Sequence, residues 1–173
     1  MVSKSRVRAP RKSPAERADE IRSAARQVAR AEGLPALTLR SVGAQAGVAP
    51  ALVAHYEPSM EELVASTFSA ITTAEVDEIA ALLSSEPTAT SKLHRLITTL
   101  TEPGRDDVTI AWTDAFSLGR VNQPLAAAVR EVMARWQSMV ADLIGDGVSS
   151  GEFTTDDAAD VAWQFLGCLL YTS

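Results

Sequence analysis

Apolar residues recur along this chain at spacings of three and four, which is the period of an amphipathic α-helix. The first apolar stripe runs from Ala18 to Val28. Ser13–Glu16 precedes it as a capping box with proline at the first helical position, and Gly33 stands where a left-handed cap ends a helix. The pattern therefore predicts a first helix that begins after Ser13 and ends at Gly33.

Two short helices and a long one are predicted next. Thr38 can cap the second helix, and Pro50 opens a third that must end before Pro58, because a residue that precedes proline is pushed out of helical geometry. Ser59 begins a second capping box, and the apolar period then continues to about Ser84.

Proline and glycine divide the rest of the chain into further helices near 90–102, 105–119 and 124–148. The last of these has a near-heptad apolar pattern. Thr155, ahead of two aspartates, opens a final helix whose acidic first turn suits the helix dipole. Since no segment alternates as a strand would, the predicted fold is all-α.

Length and composition fit a compact globular protein. The 173 residues are 46% hydrophobic and 22% charged, and a single cysteine excludes an internal disulfide framework or a Cys-rich zinc module. The sequence contains no apolar run of the ~18 residues that a membrane helix needs, and its N-terminus lacks the apolar core of a secretory signal. A cytoplasmic protein without membrane contact is expected.

The net charge of −6 hides a strong asymmetry between the two parts of the chain. Residues 1–46 carry ten basic and four acidic side chains, a net +6, whereas residues 47–173 carry six basic and eighteen acidic ones, a net −12. Such a division indicates a polyanion-binding end on an acidic body. An ordinary solvated tail is the alternative.

The segment Thr38–Glu57 has the organisation of a helix-turn-helix, with two short helices joined at Gly47. In that motif the first helix crosses the DNA backbone and the second enters the major groove. Val48 and Val53 can point inward, which leaves short side chains and His55 on the outer side. A helical hairpin with a glycine turn is the alternative reading of the spacing.

The order of residues between Arg17 and Leu63 is more specific. It contains Arg-x₃-Ile-x₂-Ala-Ala, Thr-Leu-Arg-x-Val, Ala-Gly-Val-x-Pro-x-Leu-Val-x-His-Tyr and Ser-x-Glu-Glu-Leu. In this the chain resembles the TetR-type bacterial transcriptional regulators. The resemblance implies a helix-turn-helix DNA-binding head (13–58) and a helical regulatory and dimerisation body (59–173), and the charge of the N-terminal residues adds a basic disordered arm (1–12) to the prediction. The resemblance further implies a homodimer on a palindromic double-stranded operator, and repression that a small-molecule effector relieves.

The resemblance also implies the residues that contact DNA. Phosphate contacts are expected from Thr38, Arg40, His55, Tyr56 and Ser59, with Arg40 alternatively reaching the groove. The surface that faces the bases is expected to comprise Ala49, Pro50, Ala51, Leu52 and Ala54, and Leu52 can touch a thymine methyl group.

Three positions depart from the usual pattern of the family. Ala54 replaces a common Tyr, Glu57 replaces an aromatic residue, and Met60 replaces a phosphate-contacting Lys. Fewer phosphate contacts predict weaker and less salt-dependent binding, and the negative charge of Glu57 needs Arg40 or the region of Tyr56 to neutralise it. The basic arm, which includes Arg6, Arg8, Arg11 and Lys12, is expected to compensate by following the minor groove. The alternative function is a helical small-ligand-binding or interaction module with weakened or lost DNA binding.

In the body, aromatic and methionine side chains predict an apolar effector pocket, although core packing explains each of them equally well. The predicted pocket residues are Trp112, Phe116, Trp136, Met139 and Trp163. Asp114, Asn122 and Gln137 are the polar groups available to orient a ligand.

Residues 158–171 are apolar almost all round, so this helix is expected to be buried against its own core and against a partner chain. Members of the family usually pair through two C-terminal helices, and only the first is recognisable here. The expectation is therefore a C-terminally truncated chain, with Cys168 as a small buried apolar residue.

The sequence gives no sign of catalysis. His55 and His94 lie on separate predicted helices, and the chain contains no HExxH motif, phosphate-binding glycine loop or Gly-x-Ser-x-Gly elbow. No catalytic residue, metal site or cofactor is predicted.

Overall fold

The computed structural model describes residues 12–172, with side chains described as far as residue 168. Within that range all regular structure is helical, and it contains eight α-helices, a 3-10 turn at Leu34–Ala36 and no strand. The helices are α1 (Pro14–Glu32), α2 (Leu39–Ala46), α3 (Pro50–Tyr56), α4 (Met60–Ser84), α5 (Ala89–Thr101), α6 (Asp106–Leu118), α7 (Gln123–Ser149) and α8 (Ala158–Thr172). The all-α prediction is confirmed.

Local capping explains where the first helices begin. Ser13 and Glu16 form the expected reciprocal capping box at α1. Thr38 forms a second box with Ser41 at α2, where the Ser41 N–H donates to Thr38 Oγ1 at 3.0 Å and the Thr38 N–H donates to Ser41 Oγ at 3.0 Å. At α4, Ser59 Oγ accepts the N–H of Glu62 at 3.2 Å.

Two helix ends differ from the prediction. Gly33 has a positive φ of 86°, but its ψ of 168° lies outside the left-handed helical region, because the chain turns directly into the 3-10 segment instead of closing a left-handed cap. The last helix starts at Ala158, and Asp157 rather than Thr155 caps it, since Asp157 Oδ1 accepts the N–H of Asp160 at 2.9 Å.

Helices α4 and α7 form the centre of the body. α5 and α6 pack on this pair, and α8 packs along α7. The near-heptad positions Leu125, Val132, Trp136 and Leu143 of α7 are buried, as the pattern predicts. No helix in the described range is long and apolar enough to cross a membrane.

One hydrophobic core runs without a break from the head into the body. In the head, Ile21, Val42 and Val53 are completely buried, and they belong to the same cluster as Phe68 and Leu125. Helix α4 is continuous across this region, and α1 packs against both α4 and α6. The orientation of the head is therefore fixed by side chains of the body.

Candidate nucleic-acid interface and effector cavity

Helices α2 and α3 meet in a turn that depends on two glycines. Gly47 adopts the left-handed conformation (φ 66°, ψ 34°), and the Val48 N–H donates to the carbonyl oxygen of Gly43 at 2.8 Å. A Cβ on Gly43 would lie 2.9 Å from the carbonyl oxygen of Val48 and 3.4 Å from the nitrogen of Pro50. Gly43 thus permits the close approach of α3 to α2. The sequence reasoning missed this residue, although an isolated glycine within a helical pattern was a signal for it.

The outer side of α3 presents small side chains. Ala49, Pro50, Ala51 and His55 are exposed, Leu52, Ala54 and Tyr56 are partly exposed, and Val53 is completely buried. The structure therefore brings these predicted DNA-contacting positions together on one surface. His55 and Tyr56 contact each other edge to face, with ring centroids 5.2 Å apart.

At the start of α2, which packs against α3, Thr38 and Arg40 are both exposed. Both polar groups of Thr38 are engaged locally, since its N–H and its hydroxyl each contact Ser41. Arg40 makes no ion pair within residues 12–168. Its guanidinium is thus available to a phosphate.

Glu57 is neutralised by a residue that the sequence did not indicate. The expected partners were Arg40 or the region of Tyr56, but Arg22 Nε on α1 donates to Glu57 Oε1 at 2.8 Å. The Glu57 side chain is only 11% exposed. This ion pair joins α1 to the residue that ends α3, 35 positions further along the chain, so no local pattern indicates it. The negative charge of Glu57 is compensated by Arg22 next to the surface that is predicted to contact DNA.

The basic arm is largely outside the described residues, which include neither Arg6, Arg8 nor Arg11. Lys12 is described, and it is exposed. Its ammonium group pairs with Glu20, which also binds Arg17 at 2.8 Å.

A cavity of about 160 Å³ opens among α4, α6 and α7, and one residue each of α5 and α8 also lines it. Three of the five predicted pocket residues line it, namely Trp112, Phe116 and Trp136. Met139 lies outside, because it is one turn beyond Trp136 along α7, and Trp163 lies outside because it projects from α8 with 48% of its surface exposed. The remaining apolar lining residues are Leu100, Val108, Met133 and Leu166.

The aromatic wall of the cavity is ordered by ring contacts. Trp112 meets Phe68 edge to face, with centroids 5.1 Å apart and planes at 88°. Trp112 also contacts Phe116, with ring centroids 5.7 Å apart and ring planes at 31°. Such pairs fix ring orientation beyond simple burial.

The cavity contains a buried ion pair that the sequence reasoning missed. Glu75 of α4 is 7% exposed, and Arg105, the residue before α6, donates from Nη2 to Glu75 Oε1. Glu75 Oε2 is buried and accepts no hydrogen bond from residues 12–168. Burial raises the pKa of Glu75, while the Arg105 guanidinium opposes that rise. The Trp112 side chain opposes it more weakly as a nearby donor, although its approach does not meet the geometry of a hydrogen bond. The sequence did contain a signal for this burial, because Glu75 falls on the same face of α4 as Thr72, Val76 and Ile79, which are all buried.

The polar residues expected to orient a ligand serve the fold instead. Asn122 caps α7 by accepting the Leu125 N–H at 2.9 Å, and Gln137 Nε2 donates to the carbonyl oxygen of Ala159 at 3.3 Å. Asp114 Oδ2 accepts the N–H of Leu34 at 2.9 Å. The polar groups that do line the cavity are Glu75, Arg105, Thr109 and Thr113.

Helix α6 touches both the cavity and the head. One side of it carries Trp112 and Phe116 of the cavity wall. From its other side, Asp114 holds Leu34, and Asp107 accepts from Arg30 of α1 at 2.8 Å. A shift of α6 that begins in the cavity would therefore act directly on α1 and Leu34 of the head.

The outer face of α8 is apolar in part. Trp163 and Cys168 are exposed in the single chain, whereas Ala162 and Leu166 are buried against the body. Cys168 is thus not buried by its own chain, and its expected burial stays a prediction that depends on a partner chain. No group of three or more metal-binding side chains occurs in the described part of the chain.

Two family models match the sequence. Residues 21–67 match the model described as bacterial regulatory proteins of the tetR family, and residues 89–169 match the model described as the C-terminal part of BetI-type transcriptional repressors. Together these ranges cover more than half of the chain. No curated protein shows significant similarity to the whole sequence.

Several solved structures have the same fold. A TetR transcription regulator from Haloarcula marismortui is 21% identical, with a TM-score of 0.76 over 90% of this chain and 82% of that one. A transcriptional regulator structure from Saccharomonospora viridis, in complex with choline, is 20% identical, with a TM-score of 0.78 over 90% and 82%. FadR from Bacillus subtilis, in complex with stearoyl-CoA, is 20% identical, with a TM-score of 0.69 over 89% and 83%.

Proposed function

The chain belongs to the TetR family of bacterial regulatory proteins, which bind DNA and are not enzymes, and on this premise we propose that it is a repressor released by a small molecule. The observation that carries the proposal is the double contact of α6, whose one side lines the cavity while Asp107 and Asp114 hold the head. In this proposal residues 13–58 are the DNA-binding head, residues 59–173 are the regulatory body, and residues 1–12 add a basic arm.

We propose that α3 enters the major groove through its exposed small side chains, with α2 on the backbone. The amides of Leu39 and Arg40 are the first two of α2, and amides at a helix N-terminus have no intrahelical acceptor and favour an anion. A phosphate held there also meets the Arg40 guanidinium, which makes no ion pair within residues 12–168. Thr38 fixes this end through Ser41, and its hydroxyl lies beside the same phosphate.

A homodimer is part of the proposal. The exposed Trp163 on α8 is the kind of side chain that a partner covers, because large aromatic residues are enriched in interfaces. A two-fold pair sets two recognition helices about 34–36 Å apart, so each α3 reads one half of a palindromic operator.

Release follows from the position of α6. A ligand that separates Trp112 and Phe116 from α7 moves α6, and the contacts of Asp107 and Asp114 then turn α1 and the rest of the head. The two heads no longer match the spacing of the half-sites. Similar structures hold ligands as different as choline and stearoyl-CoA, which supports ligand binding in the body without naming a chemical class.

Fluorescence anisotropy tests the DNA-binding part. The full-length protein is titrated into a labelled duplex from the region upstream of its own gene and into a scrambled duplex, each at two salt concentrations. Tighter binding to the upstream duplex, weakened by salt, is expected. Arg40→Ala should lower the affinity and reduce the slope of log K against log salt by about 1 for each head.

The matched control is Arg130→Ala, which removes the same charge from an exposed site on α7 and should leave both values unchanged. Equal loss in both variants would mean that Arg40 acts only through net charge. A folded dimer that binds neither duplex would contradict the repressor proposal. It would favour a ligand-binding module in which Ala54 and Met60 no longer supply phosphate contacts.

A further inference from the structure

We propose that the effector is a small primary or secondary organic amine, bound as its ammonium ion against Glu75 in the aromatic cavity. This inference rests on the proposed ligand-binding role of the body and names the chemical class of the ligand. It comes from three properties of the cavity: an incompletely bonded carboxylate, a wall of aromatic rings, and a small volume.

The carboxylate of Glu75 lacks one hydrogen-bond donor. Arg105 supplies a donor to Oε1 only, and Oε2 is buried with no partner within residues 12–168. A buried acceptor without a donor is costly and is rare in folded proteins. Because the terminal torsion of a glutamate is soft, we expect rotation about it to turn Oε2 toward the cavity that Glu75 lines. An N–H group of the ligand then completes the bonding of the carboxylate.

The aromatic wall selects a cation. Trp112, Phe116 and Trp136 line the same cavity as Glu75, and the faces of aromatic rings attract an ammonium group, most strongly when it is desolvated. A neutral alcohol can also donate to Oε2, but it lacks the positive charge that both the carboxylate and the ring faces attract. An anion could reach Arg105, but it would lie against Glu75 and leave Oε2 without a donor.

The volume limits the size of the ligand. The cavity has about 160 Å³, close to the ~150 Å³ of an engineered cavity that admits benzene. One six-membered ring with a single substituent is therefore the expected size.

Three probes with the same ring separate the possibilities: cyclohexylamine, which is protonated at neutral pH, cyclohexanol and cyclohexanecarboxylate. Binding to the full chain is measured by calorimetry at pH 7 and followed by tryptophan fluorescence, since Trp112 and Trp136 line the site. We expect cyclohexylammonium to bind at least 10-fold more tightly than cyclohexanol, and cyclohexanecarboxylate to bind most weakly. Equal or tighter binding of the alcohol or the carboxylate, or no binding of the amine, would overturn the proposal.

The variant Glu75→Gln keeps the shape of the side chain and removes its charge. It should lose the preference for the amine over the alcohol while still binding the alcohol, which also shows that its cavity is intact. Glu131→Gln, at an exposed position on α7, is the matched control and should keep the preference. An unchanged preference in Glu75→Gln would refute the role of Glu75.

The same amine is then added to the protein–duplex complex, so that the two proposals can fail separately. Amine binding that depends on Glu75 but leaves the DNA complex intact would support the ligand class and contradict release. Release of the DNA by cyclohexanol or cyclohexanecarboxylate, with no effect of the amine, would support release and contradict the ligand class.

Discussion

Replacing either of two glycines in the helix-turn-helix by alanine should destabilise the fold, but for different physical reasons. At Gly43 the obstacle is space, since an added Cβ would lie 2.9 Å from the carbonyl oxygen of Val48. At Gly47 the space is open, with nothing within 4 Å of an added Cβ, but the φ of 66° is unfavourable for alanine. Both Ala variants are therefore expected to be destabilised.

The magnitudes follow from the two causes. Alanine at Gly43 gains about 1 kcal/mol in helix propensity, but the backbone of α3 must shift, and overpacking of this kind costs about 1–3 kcal/mol. The free energy of unfolding should therefore fall by about 1 kcal/mol, which lowers Tm by about 2–4 °C in a chain of this length. The left-handed conformation at Gly47 costs alanine about 1–2 kcal/mol.

Asparagine distinguishes the two causes, because it tolerates the left-handed region but is larger than alanine. Gly47→Asn should recover most of the stability that Gly47→Ala loses, whereas Gly43→Asn should be less stable than Gly43→Ala. Urea unfolding followed by circular dichroism measures these differences, and duplex anisotropy on the folded variants reports the position of α3. Gly43→Ala should weaken DNA binding more than Gly47→Asn does. If Gly43→Ala were as stable as the parent protein and bound DNA equally well, the argument from close approach would be refuted.

Two further predictions concern the body. Gly147→Ala should destabilise the fold by about 1–2 kcal/mol in urea unfolding, because the new Cβ would collide with the ring of Phe153. Gly145→Ala, two residues earlier with nothing within 4 Å, should instead add about 0.5–1 kcal/mol, and equal effects of the two changes would contradict this reasoning. Glu152 accepts the first amides of α5, which lowers its pKa to about 2 from 4.5, so its stabilisation is complete above pH 4.5 and is lost as the pH falls toward 2. The Tm of Glu152→Gln should accordingly lie below that of the parent protein at pH 7 and converge with it in acid, and a constant difference would exclude this explanation.

The sequence predicted the helices well because their signals are local. The capping residues Ser13, Thr38 and Ser59 lie within three positions of the amides that they bind. The exposed face of α3 was predictable for a similar reason, since the helical period separates the buried Val53 from its neighbours.

The site was less predictable because its contacts join distant parts of the chain. Arg22 and Glu57 are 35 residues apart, and Leu34 and Asp114 are 80 apart. Periodicity carries no information about such pairs. Glu75 was missed because a glutamate in a helix usually faces solvent, so its place on the apolar face of α4 was not taken as a sign of burial.

The double contact of α6 has a consequence for exchange of parts between related regulators. A DNA-binding head transplanted onto a foreign body would lose the acceptors for Arg30 and for the Leu34 N–H unless the new body offered carboxylates where Asp107 and Asp114 stand. A chimera joined at the start of α4 would thus contain an intact head and an intact body, but the hydrogen bonds between them would be missing. In evolution, such heads and bodies are expected to change together at these few positions, even where their remaining surfaces diverge freely.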